Sequence, residues 1–216
     1  MSEEKKNPFE FKPDYSKPVG PPMEEQHFLR GSTPMHKAAA LLKFDEVDKL
    51  LAEGGKDVDT GDVLDQTPLI LLARNHYDTE DVPKAVQMIE KLLAAGATLV
   101  DEYGKCRRDQ YGDSTLHLAA MATGRNGVAV IKALVDALPT TGPYTKEQLV
   151  SARCKNFGNT ALHWATLNGN VESCEFLLNA GSRPDRKNRL KQTVLDYAVK
   201  YEQPKLKVKY EGLLAK

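Results

Sequence analysis

The chain has 216 residues, and its 30 Lys and Arg balance its 30 Asp and Glu, so the formal net charge is zero. This balance gives no overall field that favours nucleic acid or a membrane surface, and no stretch approaches the roughly 18 apolar residues of a membrane span. Three cysteines without CxxC or metal-like spacing argue against a disulfide framework and favour a reducing compartment, the cytoplasm or the nucleus.

Residues 1–27 differ in composition from the rest of the chain. They contain five prolines and many charged residues but few aliphatic ones, so they bury too little apolar surface to offset the entropy of ordering. We expect this segment to be extended or disordered, and no apolar run in it indicates a signal peptide. Its aromatic residues, Phe9, Phe11 and Tyr15, either cap the first structural unit or form a short motif for a partner.

A short motif recurs five times between residues 33 and 196. Each copy begins with Thr or Ser and opens an apolar segment. The first residues are spaced 34, 47, 46 and 33 apart, and a repeat near 33 residues with insertions indicates a stacked array of units and not one closed globule. The copies are Thr33-Pro34-Met35-His36, Thr67-Pro68-Leu69-Ile70, Ser114-Thr115-Leu116-His117, Thr160-Ala161-Leu162-His163 and Thr193-Val194-Leu195-Asp196.

The unit from Gly158 to Asp185 shows the pattern most clearly. The hydroxyl of Thr160 is placed to cap a short helix, and Asn168-Gly169-Asn170 ends that helix because these residue types tolerate the left-handed conformation. A second apolar helix follows, and Ala180-Gly181 closes it. The other copies repeat this order, and a less regular last helix, which Pro204 can start, is expected near Leu206 to Leu214.

These units resemble ankyrin repeats, whose pattern is Thr-Pro-Leu-His, a short helix, a break, and a second helix that ends Leu-Leu-x-x-Gly-Ala. The resemblance covers about residues 31–200, and Thr160 to Ala165 together with Leu177 to Gly181 carry it best. It implies an all-α solenoid of about five helix-turn-helix repeats with hairpin-like connecting loops, in a domain over residues 28–216. The repeats that we predict span about 31–63, 64–111, 112–157, 158–190 and 191–216.

Two units are longer than the usual period. Spacings of 47 and 46 exceed 33 residues by 14 and 13, and the extra residues fall near 74–84, 97–112 and 138–156. Such insertions form surface loops that often lie on the binding face of an array. They are equally consistent with neutral length variation, since a longer loop costs little entropy. We expect Lys146–Val150 to form an extra turn of helix in the third insertion.

His36, His117 and His163 recur at one repeat position, a pattern that resembles a metal site. The resemblance to ankyrin repeats implies instead that each histidine bridges backbone groups of neighbouring turns. Copies one repeat apart also lie too far from each other to share a zinc ion with bonds of about 2 Å. No nucleophile elbow, HExxH motif or phosphate-binding loop is present, so we expect no enzyme, no cofactor and no metal.

Other unusual residues favour packing over chemistry. Cys174 lies on an apolar helix face and is expected in the core, whereas Cys106 and Cys154 fall in inserted loops where we expect exposure. Trp164, the only tryptophan, stands where leucine is usual in these repeats and either packs between units or contacts a partner. From Arg183 to the C-terminus ten basic residues stand against four acidic ones, which indicates a solvated cap or a docking surface for an acidic partner.

The resemblance implies a binding function. In ankyrin arrays the hairpin tips and the exposed side of the first helices line a concave groove. Four tips here are apolar or aromatic where a turn is ordinarily polar, so they either anchor an interface or pack on one another. We therefore predict a non-catalytic, monomeric module that binds a partner protein, and neither nucleic acid nor a membrane. The predicted partner-binding residues are Leu64, Arg74, Tyr111, Met121, Phe157, Leu167, Arg189, Leu190 and Tyr201, with Tyr111 and Phe157 foremost.

Two alternatives remain open at this point. The chain could be a chaperone or assembly factor that escorts a client such as a ribosomal protein, although a basic client would call for an acidic groove and the net charge is zero. It could also be a signalling scaffold, with the proline-rich segment recruiting a second domain.

Overall fold

The computed structural model describes residues 31–75, 77–126, 128–138 and 144–215. Within these ranges the chain forms eleven helices and two isolated β-bridges but no strand, which confirms the all-α prediction. The prediction for residues 1–27 lies outside the described residues. The helices are α1 (Pro34–Ala40), α2 (Phe44–Ala52), α3 (Pro68–Arg74), α4 (Val82–Ala94), α5 (Thr115–Asn126), α6 (Ala129–Asp136), α7 (Lys146–Val150), α8 (Ala161–Leu167), α9 (Val171–Asn179), α10 (Val194–Lys200) and α11 (Pro204–Leu214).

The helices form a solenoid of five helix pairs, as predicted. The inner helices α1, α3, α5, α8 and α10 lie side by side in chain order. Each packs against the outer helix of its own pair, which is α2, α4, α6, α9 or α11 respectively. One apolar core continues from Met35 in the first pair to Tyr210 in the last, because each pair buries its apolar stripe against its neighbours.

The recurring Thr of the sequence motif fixes where inner helices begin. Thr67 has extended backbone dihedrals, and its side chain accepts a hydrogen bond from the Ile70 N–H at 3.3 Å. Thr193 does the same for the Asp196 N–H, also at 3.3 Å. Such a cap satisfies one of the helix's free N–H groups and contributes about 1 kcal/mol. Pro68 follows directly at the first helical position, where its missing N–H is not needed.

The insertions are folded onto the solenoid. The loop between α3 and α4 is anchored because the Asn75 side-chain amide and the Tyr77 hydroxyl both donate to the Ala40 carbonyl at 3.0 Å. The third insertion contains α7, which confirms the extra turn of helix. Its residues Leu149 and Val150 are buried.

The last unit is joined to the fourth by a buried polar contact. The Tyr210 hydroxyl of α11 lies 2.6 Å from Thr166 Oγ1 of α8, and the same hydroxyl of Thr166 donates to the Leu162 carbonyl at 2.7 Å. Leu206 and Tyr210 are buried, and the last helix, expected to be less regular, is a continuous helix that begins at Pro204 and ends at Leu214. In the described part of the chain, no helix has the length and apolar character needed to cross a bilayer.

Candidate functional site

The connections between repeats contain four five-residue turns that are built in the same way. The first residue, Asp or Asn, uses its Oδ1 to accept the N–H groups of the third and fifth residues, at 2.8 to 3.1 Å. The fourth residue adopts a positive φ, which lets the chain reverse within so few residues. These turns are Asp62–Gln66, Asp101–Lys105, Asp109–Asp113 and Asn188–Gln192.

One connection uses a variant of this turn. Residues Cys154–Asn159 form a six-residue loop that is closed by the Cys154 N–H donating to the Asn159 carbonyl at 2.8 Å. The Cys154 thiol occupies the place of the carboxylate and lies near the backbone N–H groups of the loop, while burial raises its pKa. Both Cys154 and Cys106 are buried, so the expected exposure of these two thiols was wrong. Cys174 is buried, as expected.

Backbone hydrogen bonds join four of the turns into one continuous row. The Gln110 N–H donates to the Leu64 carbonyl at 2.8 Å, the Lys155 N–H to the Gly112 carbonyl at 3.0 Å, and the Arg189 N–H to the Phe157 carbonyl at 2.8 Å. We call this set the tip row: Asp62–Gln66, Asp109–Asp113, Cys154–Asn159 and Asn188–Gln192.

Close approach between the turns makes the tip row compact. A Cβ at Gly112 would lie 2.0 Å from the Cβ of Lys155, and Gly112 also has a φ of +79°. Only glycine fits this position. The turns therefore hold one another through their main chains, which leaves several of their side chains free to face solvent.

The predicted tip residues are largely exposed. Tyr111 is 49% exposed, Phe157 53% and Leu190 66%, whereas Leu64 is largely buried. Arg189 is exposed. The tips thus contact one another through their backbones, while their large apolar side chains remain at the surface. Whether they bind a partner stays a prediction.

Phe157 is held by Trp164 of α8. Their ring centroids are 6.2 Å apart with an interplanar angle of 84°, an edge-to-face arrangement. Trp164 is half-buried, so it packs within the array and at the same time orients an exposed aromatic ring. This contact restricts Phe157 before any partner arrives.

The predicted inner-helix positions differ in accessibility. Met121 is 38% exposed, and Arg74 is exposed with its guanidinium donating to Gln66 Oε1 at 2.8 Å. Tyr201 is half-buried. Leu167 is only 6% exposed, so its side chain is not available to a partner and the prediction of an exposed groove position was wrong. The next residue, Asn168, donates its side-chain amide to the Ala120 and Met121 carbonyls at 2.9 Å, which holds this end of α8 against α5.

The repeated histidines support the tip row. Nε2 of His36 lies 2.8 Å from the Gln66 carbonyl, that of His117 lies 3.1 Å from the Asn159 carbonyl, and that of His163 lies 3.2 Å from the Gln192 carbonyl. A carbonyl only accepts, so each Nε2 carries the proton. Each Nδ1 then accepts from the backbone N–H of the residue that opens its helix, for example Thr33 N–H at 3.0 Å. This is the bridging role that the resemblance implies.

Burial keeps these imidazoles neutral. It lowers the pKa of His117 and of His163 to about 4, and it also lowers the pKa of His36. Both ring nitrogens of each histidine are engaged, which leaves neither for a metal or for proton transfer. Within the described ranges no group of three or more His, Cys, Asp or Glu side chains is placed to hold a metal ion.

Sequence reasoning missed one element of this surface, the turn Asp101–Lys105. It lies outside the tip row and presents Tyr103, whose side chain is 76% exposed. A cavity of about 590 Å³ lies between this turn and the row, with Arg107, Arg108 and Lys155 among its lining residues. Arg107 is bound to Asp59 at 2.8 Å. The signal was present in the sequence, since Glu102-Tyr103-Gly104 is repeated as Gln110-Tyr111-Gly112.

Comparison with known proteins agrees with this architecture. Residues 141–209 match a family model described as ankyrin repeats, in three copies. The chain is 29% identical over 182 residues to a mitochondrial disaggregase of Bos taurus and 29% identical over 194 residues to a mitochondrial disaggregase of Homo sapiens. Each match covers 81% of this chain but only 23% and 26% of the respective relative. The chain thus spans about a quarter of the length of these curated relatives.

Proposed function

The chain is an ankyrin-repeat protein, and from this premise we propose that it binds a partner protein through the tip row and the exposed ends of its inner helices. Ankyrin repeats are typically interaction modules without catalytic activity. The observation that carries the proposal is a backbone-linked row on which Tyr111, Phe157 and Leu190 are about half exposed or more. Large apolar side chains in such positions are typical of interfaces, because they gain most from burial against a partner.

The rigidity of the tip row favours binding. Its turns are fixed by side-chain caps and by hydrogen bonds between neighbours, and Phe157 is oriented by Trp164. A surface that is already ordered loses less conformational entropy on association. Met121 and Arg74 extend the same surface along the inner helices, so we include them with the tip residues in the proposed site.

We also propose that the chain has no catalytic activity of its own. The three buried histidines are the side chains best suited to proton transfer near neutral pH. Each has Nε2 bound to a carbonyl and Nδ1 bound at the start of its helix. They are thus occupied by structural contacts and are not presented to a substrate.

Site-specific photo-crosslinking tests the proposed surface. A photoreactive phenylalanine analogue at position 111 or 157 is expected to capture a protein from cells that express the chain. The same analogue at Val208, which is 69% exposed on α11, is the matched control and is expected to capture none of it. The double variant Tyr111→Ala/Phe157→Ala should then lose retention of the captured protein while keeping its helical circular dichroism. Equal capture at position 208, or full retention by the folded double variant, would contradict the proposal.

A second candidate function follows from the names of the relatives. Both are called disaggregases, which favours a role for the repeats in holding non-native proteins. Exposed Tyr103, Tyr111 and Leu190 could contact apolar segments of such a client. An equimolar amount of the chain should then suppress light scattering by a heat-denatured model enzyme, and Tyr111→Ala/Phe157→Ala should not. Unchanged scattering would remove this candidate and leave specific partner binding in place.

We propose further that the chain is a monomer of the cytoplasm or nucleus. The three cysteines are buried and unpaired, which fits a reducing compartment. Because the relatives are named as mitochondrial, fractionation of expressing cells should compare the cytosolic, nuclear and mitochondrial fractions. Light scattering coupled to gel filtration tests the oligomeric state, and a mass of twice 23.9 kDa would refute the monomer.

A further inference from the structure

Charge changes sign along the tip row. Residues 53–66, which lead into the first turn, contain five acidic residues and one lysine. Residues 151–159 contain two basic residues and no acidic one, and residues 183–191 contain five basic residues and one acidic. One end of the row is therefore acidic and the other basic, although the whole chain is neutral.

Two of the carboxylates at the acidic end are engaged within the protein. Asp59 is paired with Arg107 at 2.8 Å and accepts hydrogen bonds from the backbone and hydroxyl of Thr98 at 3.1 and 2.8 Å. Asp62 is 9% exposed and caps its own turn. These two carboxylates stabilise the connection, whereas Asp65 of the first turn is exposed and keeps this end of the row acidic.

The basic end is available. Lys155, Arg189 and Lys191 are exposed, and no carboxylate in the described ranges forms an ion pair with any of them. Each stands in a turn of the tip row, next to an exposed apolar side chain. Phe157 follows Lys155 by two residues, and Leu190 lies between Arg189 and Lys191.

We propose that this C-terminal half of the tip row binds an acidic segment of a protein partner that also carries apolar residues. The proposal rests on the proposed function and names the chemistry of the partner. Carboxylates would meet cations that have no partner within the described structure, while apolar side chains of the segment would cover exposed rings and methyl groups. The residues concerned are Lys155, Phe157, Arg189, Leu190 and Lys191, together with Tyr111 of the preceding turn.

The observations favour a protein segment over nucleic acid. A phosphate backbone carries charge at every residue, so a strand lying along the row would meet the acidic first turn. A protein segment can be acidic only where it faces Lys155, Arg189 and Lys191. Base stacking also requires aromatic faces, whereas the exposed side chain between Arg189 and Lys191 is a leucine.

Binding of defined probes tests this chemistry. The probe is a fluorescent peptide of about 12 residues that alternates pairs of Glu with Phe or Leu, long enough to span about 40 Å when extended. A peptide with Lys in place of every Glu and a single-stranded oligonucleotide of similar length are the comparison probes. Fluorescence anisotropy with the full chain is expected to show the acidic peptide binding most tightly, with an affinity that falls as salt is raised from about 50 to about 300 mM.

Charge reversal on the row gives the matched comparison. Lys155→Glu/Arg189→Glu should weaken binding of the acidic peptide by about tenfold or more, because each change replaces an attraction with a repulsion. Lys49→Glu/Lys205→Glu makes the same change in net charge at exposed positions of α2 and α11 and should alter the affinity less than about twofold. Thermal melts establish that both variants remain folded.

The outcomes separate this inference from the function on which it rests. Equal loss in both variants, tighter binding of the Lys peptide, or tighter binding of the oligonucleotide would overturn the acidic partner. If charge reversal leaves crosslinking at position 157 unchanged while Tyr111→Ala/Phe157→Ala abolishes retention, the acidic partner is wrong and the binding surface stands. If the alanine variant also retains the captured protein, the proposed function itself fails.

Discussion

The free energy of unfolding is expected to decrease between pH 6.5 and about pH 4, because His163 in the folded chain resists protonation. Its Nε2–H donates to the Gln192 carbonyl at 3.2 Å, and its Nδ1 accepts the Thr160 N–H at 3.3 Å. A proton on Nδ1 would remove that acceptor and place a charge in a buried site. Burial accordingly lowers the pKa of His163 from its ordinary 6.5 to about 4.

The sign and size of the effect follow from linkage. Above pH 6.5 the imidazole is neutral in both states, so its contribution to stability is fully present. As the pH falls from 6.5 to about 4, the unfolded chain binds the proton and the folded chain does not. The free energy of unfolding then decreases by about 1.4 kcal/mol per pH unit, or about 3 kcal/mol in all. His117, whose pKa is also lowered to about 4 by burial, adds a loss of the same sign. Asp113 acts in the opposite direction and partly offsets it, because burial raises its pKa to about 6.

The variant His163→Gln isolates this single contribution. Glutamine keeps an N–H donor but does not titrate. In urea denaturation across this pH window, the free energy of unfolding of the variant should therefore fall less steeply than that of the wild type, by about 1.4 kcal/mol per pH unit. NMR of the His163 Cε1 proton in the wild type provides the direct measurement and should give a midpoint near 4. A variant with the pH dependence of the wild type, or a midpoint near 6.5, would refute the assignment of a neutral, doubly bonded imidazole.

Three further predictions concern the turns and the last repeat. Gly112→Ala should lower the free energy of unfolding, measured by urea denaturation, by at least about 2 kcal/mol more than Gly104→Ala does. Both glycines have positive φ, but only Gly112 meets a neighbouring turn. Tyr210→Phe should cost about 1 kcal/mol, since it removes the hydroxyl that lies 2.6 Å from Thr166 Oγ1, and an unchanged midpoint would contradict that contribution. Asp101→Ala should speed amide exchange at the two N–H groups that its carboxylate accepts, without faster exchange in the tip row.

Much of this fold could be predicted because local rules and packing agree. Thr67 and Thr193 cap helices as their positions in the motif indicate, and Leu149 and Val150 form the buried side of the short helix expected in the third insertion. In each case one short stretch of sequence contains the whole signal. The five stacked pairs then follow, because every pair repeats the same apolar stripe.

The site was harder to predict because its details depend on contacts between repeats. Leu167 is apolar and stands at a groove position, but it is buried, and the Asn168 amide beside it binds α5. Cys154 lies in an inserted loop, yet it replaces the capping carboxylate of a turn and is enclosed by its own backbone. The α5 carbonyls that Asn168 binds are distant from Leu167 in the sequence. For Cys154, a thiol stands where the equivalent turn has the carboxylate of Asp109, so the residue type hides the equivalence.

The insertions have two different roles. The segment Lys146–Val150 adds buried apolar surface, and the Ser182 hydroxyl donates to the Val150 carbonyl at 3.3 Å, so this insertion serves packing. The turn Asp101–Lys105 instead adds Tyr103 beside the tip row, the most exposed of the large apolar and aromatic side chains in the described residues. Because the row is held by main-chain bonds and by Gly112, its outward side chains are not needed for folding. They are free to differ between repeats, and this freedom allows one end of the row to be basic and apolar while the other is acidic.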